Sequence, residues 1–95
     1  MKDIYSVKFS KQAKRDLKKI PWNLVLKLES WVSAVGLCGL HEVRKINGYH
    51  DELLKGDRAG QRSIRLNKAY RAIYVVIENG SVDFVEIIEV SKHGY

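Results

Sequence analysis

A single cysteine, Cys38, leaves no partner for an internal disulfide, so packing and hydrogen bonds must hold the fold, and a reducing cytoplasm is the default setting. With His41 and His50 nearby it matches no common zinc spacing, and no metal site is expected. No apolar run approaches the roughly 18 residues that cross a bilayer, which excludes a membrane span. The opening MKDIYSVKFS alternates and lacks the apolar block of a secretory signal. Low-complexity tracts, internal repeats and linkers are also missing. A chain of 95 residues is then expected to be one domain, 1–95, with a modest core.

Acid is scarce beside base, with 11 Asp and Glu against 17 Lys and Arg, a net charge of +6. The excess sits in two blocks. Residues 1–20 carry seven lysines and arginines against two acids, and residues 44–71 carry eight against three. Concentrated charge makes a field that a uniform scatter would not, and nucleic acid becomes the leading partner, with an acidic protein compatible with the same field.

The alternation of KDIYSVKF over 2–9 predicts a strand with Tyr5, Val7 and Phe9 on one side. Ser10 is a good N-cap for a helix over KQAKRDLKKI, residues 11–20, where Ala13, Leu17 and Ile20 recur at helical spacing. Pro21, the one proline, cannot continue that helix cheaply but suits the first turn of another. Leu24, Leu28, Trp31 and Val35 then mark a second helix, ended by Gly36 and Gly39, with an apolar seam shared between the two. HEVRKI is expected to be a short strand, and NGYHDE and GDRAG are turn signals. RSIRL, RAIYVVI and SVDFVEIIEV read as three strands, the last two joined by a tight hairpin at Glu78-Asn79-Gly80. The fold class is α+β: β-α-α-β-β-β, with two N-terminal helices on one face of a small, mostly antiparallel sheet and the opposite face free. Trp22, Trp31, Tyr5, Phe9, Tyr74 and Phe84 are expected inside; Tyr49, Tyr70 and Tyr95 flank charged turns and are expected exposed.

Arg65 and Arg71 border the turn-like NKAY, so strands joined there bring both arginines to one end of the sheet, with Lys68 in the turn. Guanidinium offers a planar fork of donors suited to phosphate oxygens and stays charged at any working pH. Proton carriers lie nearby in sequence or in the tail: His50 and Glu52 just before Lys55, and His93 close to Tyr95. Histidine titrates near neutrality, and a carboxylate among cations keeps its charged form. RNA supplies its own nucleophile in the 2′-hydroxyl, so a base, an acid and charge stabilisation suffice for cleavage, and no cofactor is indicated. Arg62 and Lys92 add cations to the same region, and an exposed tyrosine can stack on an unstacked base.

The stretch LLKGDRAGQRSIRLNKAYRAIYVV with the ending VSKHGY resembles the RelE/ParE superfamily of bacterial toxins, particularly the RelE, YoeB and HigB-like mRNA interferases. The resemblance covers nearly the whole chain, specifically in the second half and by pattern alone in the first. It implies a microbial-RNase-like sheet with a basic concave face, ribosome-dependent cleavage of mRNA in the A site, and a cognate antitoxin partner. It further implies 2′-hydroxyl attack that leaves a 2′,3′-cyclic phosphate and a 5′-hydroxyl end. Carried over by motif position, Glu52 is the general base, with His50 as the alternative in the same turn. Lys55 contacts phosphate, Arg65 and Arg71 hold the scissile group, His93 protonates the leaving 5′-oxygen, and Tyr95 positions the base. A glycine separates His93 from Tyr95 here, whereas the YoeB-like tail has the two adjacent. A ParE-like toxin, which poisons DNA gyrase and cleaves nothing, is the rival within the same fold; ParE-type chains generally lack the tail histidine and the glutamate before LKGD.

Overall fold

The computed structural model describes residues 3–92, and its first helix begins where the N-cap signal stands. Ser10 Oγ accepts a hydrogen bond from the Ala13 N–H at 3.1 Å, satisfying one of the orphan donors of α1 (Lys11–Leu17). The helix ends short of residue 20. Lys18 and Lys19 donate to the carbonyls of Arg15 and Asp16 in a tightened last turn, and Ile20, preceding a proline, is disfavoured in helical geometry. Pro21 is the N-cap of α2 (Trp22–Cys38), which runs through Gly36 and stops only at Gly39, where φ is +87°. Ala13 on α1 and Leu24, Leu28, Trp31 and Val35 on α2 are buried, so the helical spacing of apolar residues is the seam between helices and sheet. Each large apolar side chain fully buried there contributes about 1.5–3 kcal/mol.

HEVRKI is not a strand. Residues Leu40–Val43 form a single turn of helix, α3, in which Leu40 and Val43, three apart, reach the core while His41 and Glu42 face solvent. The helical spacing starts at Leu40, one residue before that window, so the window alone shows only the apparent alternation. The strand expected over 2–9 shrinks to β1 (Val7–Phe9); before it, Tyr5 is 55% exposed. Trp22 is likewise not a core residue: at the first position of α2 it points away from the seam and is 68% exposed. Tyr49 and Tyr70 instead pack partly against the core.

The remaining strands are β2 (Glu52–Leu53), β3 (Arg62–Arg65), β4 (Tyr70–Glu78) and β5 (Asp83–Lys92), in the spatial order β1-β5-β4-β3-β2. β1 runs parallel to β5, and every other pairing is antiparallel. Ile64, Leu66, Ala72, Tyr74, Val85, Ile87 and Val90 line the face that meets the helices, and the Trp31 and Tyr74 rings lie 5.3 Å apart at 44°. The register of β4 with β5 breaks once, because Ile73 pairs with Glu89 but Tyr74 with Ile87, leaving Ile88 as an extra residue. This bulge keeps both Ile87 and Val90 on the core side, so Glu89 and Ser91 fall on the other face. Its backbone is tied down from α1 and its cap: Ser10 Oγ donates to the Ile88 carbonyl at 3.0 Å, and Asp16 accepts from the Val90 N–H at 3.0 Å. Among the described residues no helix is long and apolar enough to cross a membrane.

Candidate functional site

Strand alternation builds the site on the face away from the helices. Arg65 pairs with Arg71, and Arg71 with Ser91, so one row across β3, β4 and β5 reads Arg-Arg-Ser. The adjacent row on the same face reads Glu52, Ser63, Ile73, Glu89 across β2 to β5. With strands about 4.8 Å apart and residues about 3.3 Å apart along them, the Glu52 backbone lies about 8 Å from that of Arg65 and about 12 Å from that of Arg71. Side chains of this length are long enough to span such a gap. The Arg71 Nε is buried and has no hydrogen-bond partner among the described residues, and Arg71 belongs to none of the ion pairs found there.

The turn beside the arginine row is closed by hydrogen bonds. Asn67 Oδ1 accepts from the Ala69 and Tyr70 N–H groups at 2.8 and 2.7 Å, closing an Asx-type turn that presents Lys68. Lys92, paired with Tyr70, ends β5 at the same edge. This end of the sheet therefore carries Arg65, Arg71, Lys68 and Lys92. His50 and Lys55 are exposed on either side of β2, and His50 takes a left-handed conformation, φ +46°, at the end of a 3-10 turn.

This face is not wholly free. The β2–β3 connection folds across it: Arg58 donates to Gln61 at 2.8 Å and reaches over β3 and β4 to Glu89 on β5, also at 2.8 Å. Beneath this strap Ile73 is fully buried and Ser63 is 5% exposed. Burial alone would raise the Glu89 carboxyl; hydrogen bonds from Arg58 and Ser91 and the positive charges of Arg58 and Arg71 outweigh it and hold the group below the ordinary glutamate value. A carboxylate thus sits beside the arginines as an internal counter-ion. Sequence reasoning missed Arg58 and Glu89, because the bulge that turns Glu89 outward is invisible in the pattern IIEV.

Arg62 departs from the expected cluster. It lies on the helix side of β3, where its Nε donates to Asp51 at 2.6 Å. The Asp51 side chain is 1% exposed, and its other oxygen accepts from the Tyr74 hydroxyl at 2.6 Å, which in turn accepts from Arg44 Nε at 3.2 Å. Burial, then the neighbouring carboxylate, push the Tyr74 phenol far up, with Arg44 opposing; Arg62, despite its burial, is held more firmly protonated by Asp51. Arg62 thus serves an internal network and does not join Arg65 and Arg71. Of the other sequence candidates, Glu52, Arg65 and Arg71 share one face, and Lys68 lies in the turn at its end. Lys92 ends β5 at the same end but by alternation on the helix side with Tyr70 and Val90, and His93 and Tyr95 lie outside the described residues.

No family model matches the chain, and no curated protein matches it by sequence. Solved structures do match in shape. A YoeB/ParE toxin from Agrobacterium tumefaciens superposes with a TM-score of 0.71 at 21% identity, covering 94% of this chain and 99% of that one. A YoeB dimer from Staphylococcus aureus gives 0.66 at 24% identity, covering 95% and 97%. The DinJ–YafQ toxin–antitoxin complex of E. coli gives 0.64 at 18% identity, covering 95% and 94%. The chain has the RelE/YoeB-type toxin fold.

Proposed function

We propose that the chain is the toxin of a type II toxin–antitoxin system and an endoribonuclease that cuts mRNA in the ribosomal A site. The observation that carries this reading is the shared face of Glu52, Arg65 and Arg71, with Lys68 in the turn at its end. The fold it has in common with YoeB and YafQ toxins supports the same reading. In the reaction, the Glu52 carboxylate takes the proton of the 2′-hydroxyl as its oxygen attacks phosphorus. Arg65 and Arg71 hold the non-bridging oxygens as negative charge builds there. The bond from phosphorus to the 5′-oxygen breaks, and His93, directly after Lys92 in sequence, gives the leaving oxygen its proton. The products are a 2′,3′-cyclic phosphate and a 5′-hydroxyl end. Lys55 and Lys68 bind flanking phosphates, His50 is the alternative base beside Glu52, and Tyr95 stacks on a base. These steps use side chains alone and require no cofactor.

A cognate antitoxin is the protein partner, as DinJ is for YafQ in the complex named above. An acidic segment folding over the basic face would neutralise the cations that RNA needs. The setting is the cytoplasm, where translating ribosomes are. Mapping mRNA ends on ribosomes after induction tests the reading: new 5′-hydroxyl ends inside codons support it. Intact mRNA with gyrase trapped on linear DNA would replace it with a ParE-like, non-nucleolytic toxin.

A further inference from the structure

We propose that Asp51 is a positioning residue for Glu52, acting from the opposite face of the sheet; this rests on the role given to Glu52 above. β2 is an edge strand of two residues, held to β3 by the pairs Glu52–Ser63 and Leu53–Arg62 and by the Leu54 N–H on the Gln61 carbonyl at 2.9 Å. So short a strand has little pairing to fix its register, and a slip of one residue would turn Glu52 toward the helices. Asp51 prevents the slip. It precedes Glu52 directly, its side chain is 1% exposed, and each carboxylate oxygen has its own donor at 2.6 Å: Arg62 Nε from β3 and the Tyr74 hydroxyl from β4. Arg44, arriving from the end of α3, fixes the Tyr74 hydroxyl in turn.

A buried carboxylate tolerates this position only while both donors stay in place, so the clamp has one geometry. With Asp51 held under the sheet, alternation forces Glu52 above it. The pair works as a pin through the strand: the anchored acid below sets where the working acid stands.

The test combines cleavage with local exchange. Asp51→Asn and Tyr74→Phe are made in the wild-type and the Glu52→Gln backgrounds, and rates on programmed ribosomes are expressed per folded molecule. Asp51→Asn is expected to lower kcat by about a hundredfold, the scale of an ångström-sized misplacement, with KM unchanged. In Glu52→Gln the same change is expected to alter the rate less than twofold, since a misplaced amide costs nothing further. Tyr74→Phe should show a smaller loss with the same background dependence, and it carries the test if Asp51→Asn does not fold. Equal losses in both backgrounds would overturn the proposal, leaving Asp51 a purely structural residue. A Glu52→Gln enzyme as active as wild type would sink the role of Glu52 itself, a separate outcome. Independently of cleavage, hydrogen exchange at the Leu54 amide should quicken at least tenfold in Asp51→Asn while Ile73 and Val85 stay protected. Unchanged Leu54 protection would also refute the clamp.

Discussion

If the proposed reaction holds, Arg71→Ala should separate catalysis from folding more cleanly than any other change at this site. Arg71 stands in the middle of the sheet, between Arg65 on β3 and Ser91 on β5, and enters none of the ion pairs among the described residues. Truncation therefore breaks no ion pair among the described residues, and Glu89 loses the nearby Arg71 charge but keeps Arg58 at 2.8 Å. The stability cost is expected to stay near or below about 1 kcal/mol, as for changes away from core packing and buried networks. Activity should behave differently. A preorganised donor aimed at developing charge is worth about 2.7–4 kcal/mol, a factor of 10² to 10³ in rate. Arg71→Lys restores the charge without the planar fork and should fall between alanine and wild type. The assay is single-turnover cleavage of mRNA on ribosomes with a defined A-site codon, alongside thermal melts. A loss under about threefold, or one accounted for by a reduced folded fraction, would refute the assignment of Arg71 to the scissile phosphate.

Three further outcomes follow from contacts elsewhere in the fold. Glu89→Gln should tighten binding of a short RNA by up to about fivefold, the worth of a partly exposed ion pair, because Arg58 is released toward phosphate; fluorescence anisotropy that shows weaker binding would reverse the sign. The same carboxyl, held below its ordinary value of 4.5, stabilises the fold above that pH and loses its contribution as pH falls through its lower folded value. Urea titrations between pH 6 and pH 3 should therefore lose stability less steeply in Glu89→Gln, by under about 1 kcal/mol given the exposure of both partners. Gly39→Ala forces a side chain into a φ of +87° and against the Asp3 carboxylate, which accepts from the Ile4 and His41 N–H groups at 2.8 and 3.0 Å. It should cost about 2–3 kcal/mol, roughly 10–20 °C in melting temperature, with cleavage per folded molecule unchanged.

Long periodic segments were legible in the sequence. The Ser10 cap, the break at Pro21, the seam of Leu24, Leu28, Trp31 and Val35, and the β3–β4 and β4–β5 hairpins all stand where their local chemistry puts them. Features decided by one or two residues against distant partners were not. HEVRKI offers two periods at once, and only the core reached by Leu40 and Val43 selects the helical one. Arg62 reads as one more cation among eight until Asp51 claims it from eleven residues away. Glu89 looks like a core-strand polar residue whose facing depends on the bulge at Ile88, and that bulge depends on Ser10 and Asp16 of the first helix. The pairing of Arg65 with Arg71 needed only a hairpin; bringing Glu52 to the same face needed a tertiary clamp.

That contrast bears on how the fold supports its chemistry. β3 and β4 serve two masters, since every second residue feeds the core and the residues between face outward. The core side asks mainly for apolar volume, which many sequences satisfy, and this is compatible with a TM-score of 0.71 at 21% identity. Shape alone therefore says little about which acids and bases the outward face carries. In this chain the outward residues are placed by polar groups on the inward side: Asp51 beneath Glu52, and Ser10 and Asp16 beneath the bulge that exposes Glu89. Each of these inner groups is hydrogen-bonded, so the irregular edge and the bulged strand are held by half-buried hydrogen bonds away from the site. Substitutions at such positions should then alter the geometry of the outward face before they unfold the protein, and a search for functional residues confined to that face would miss them.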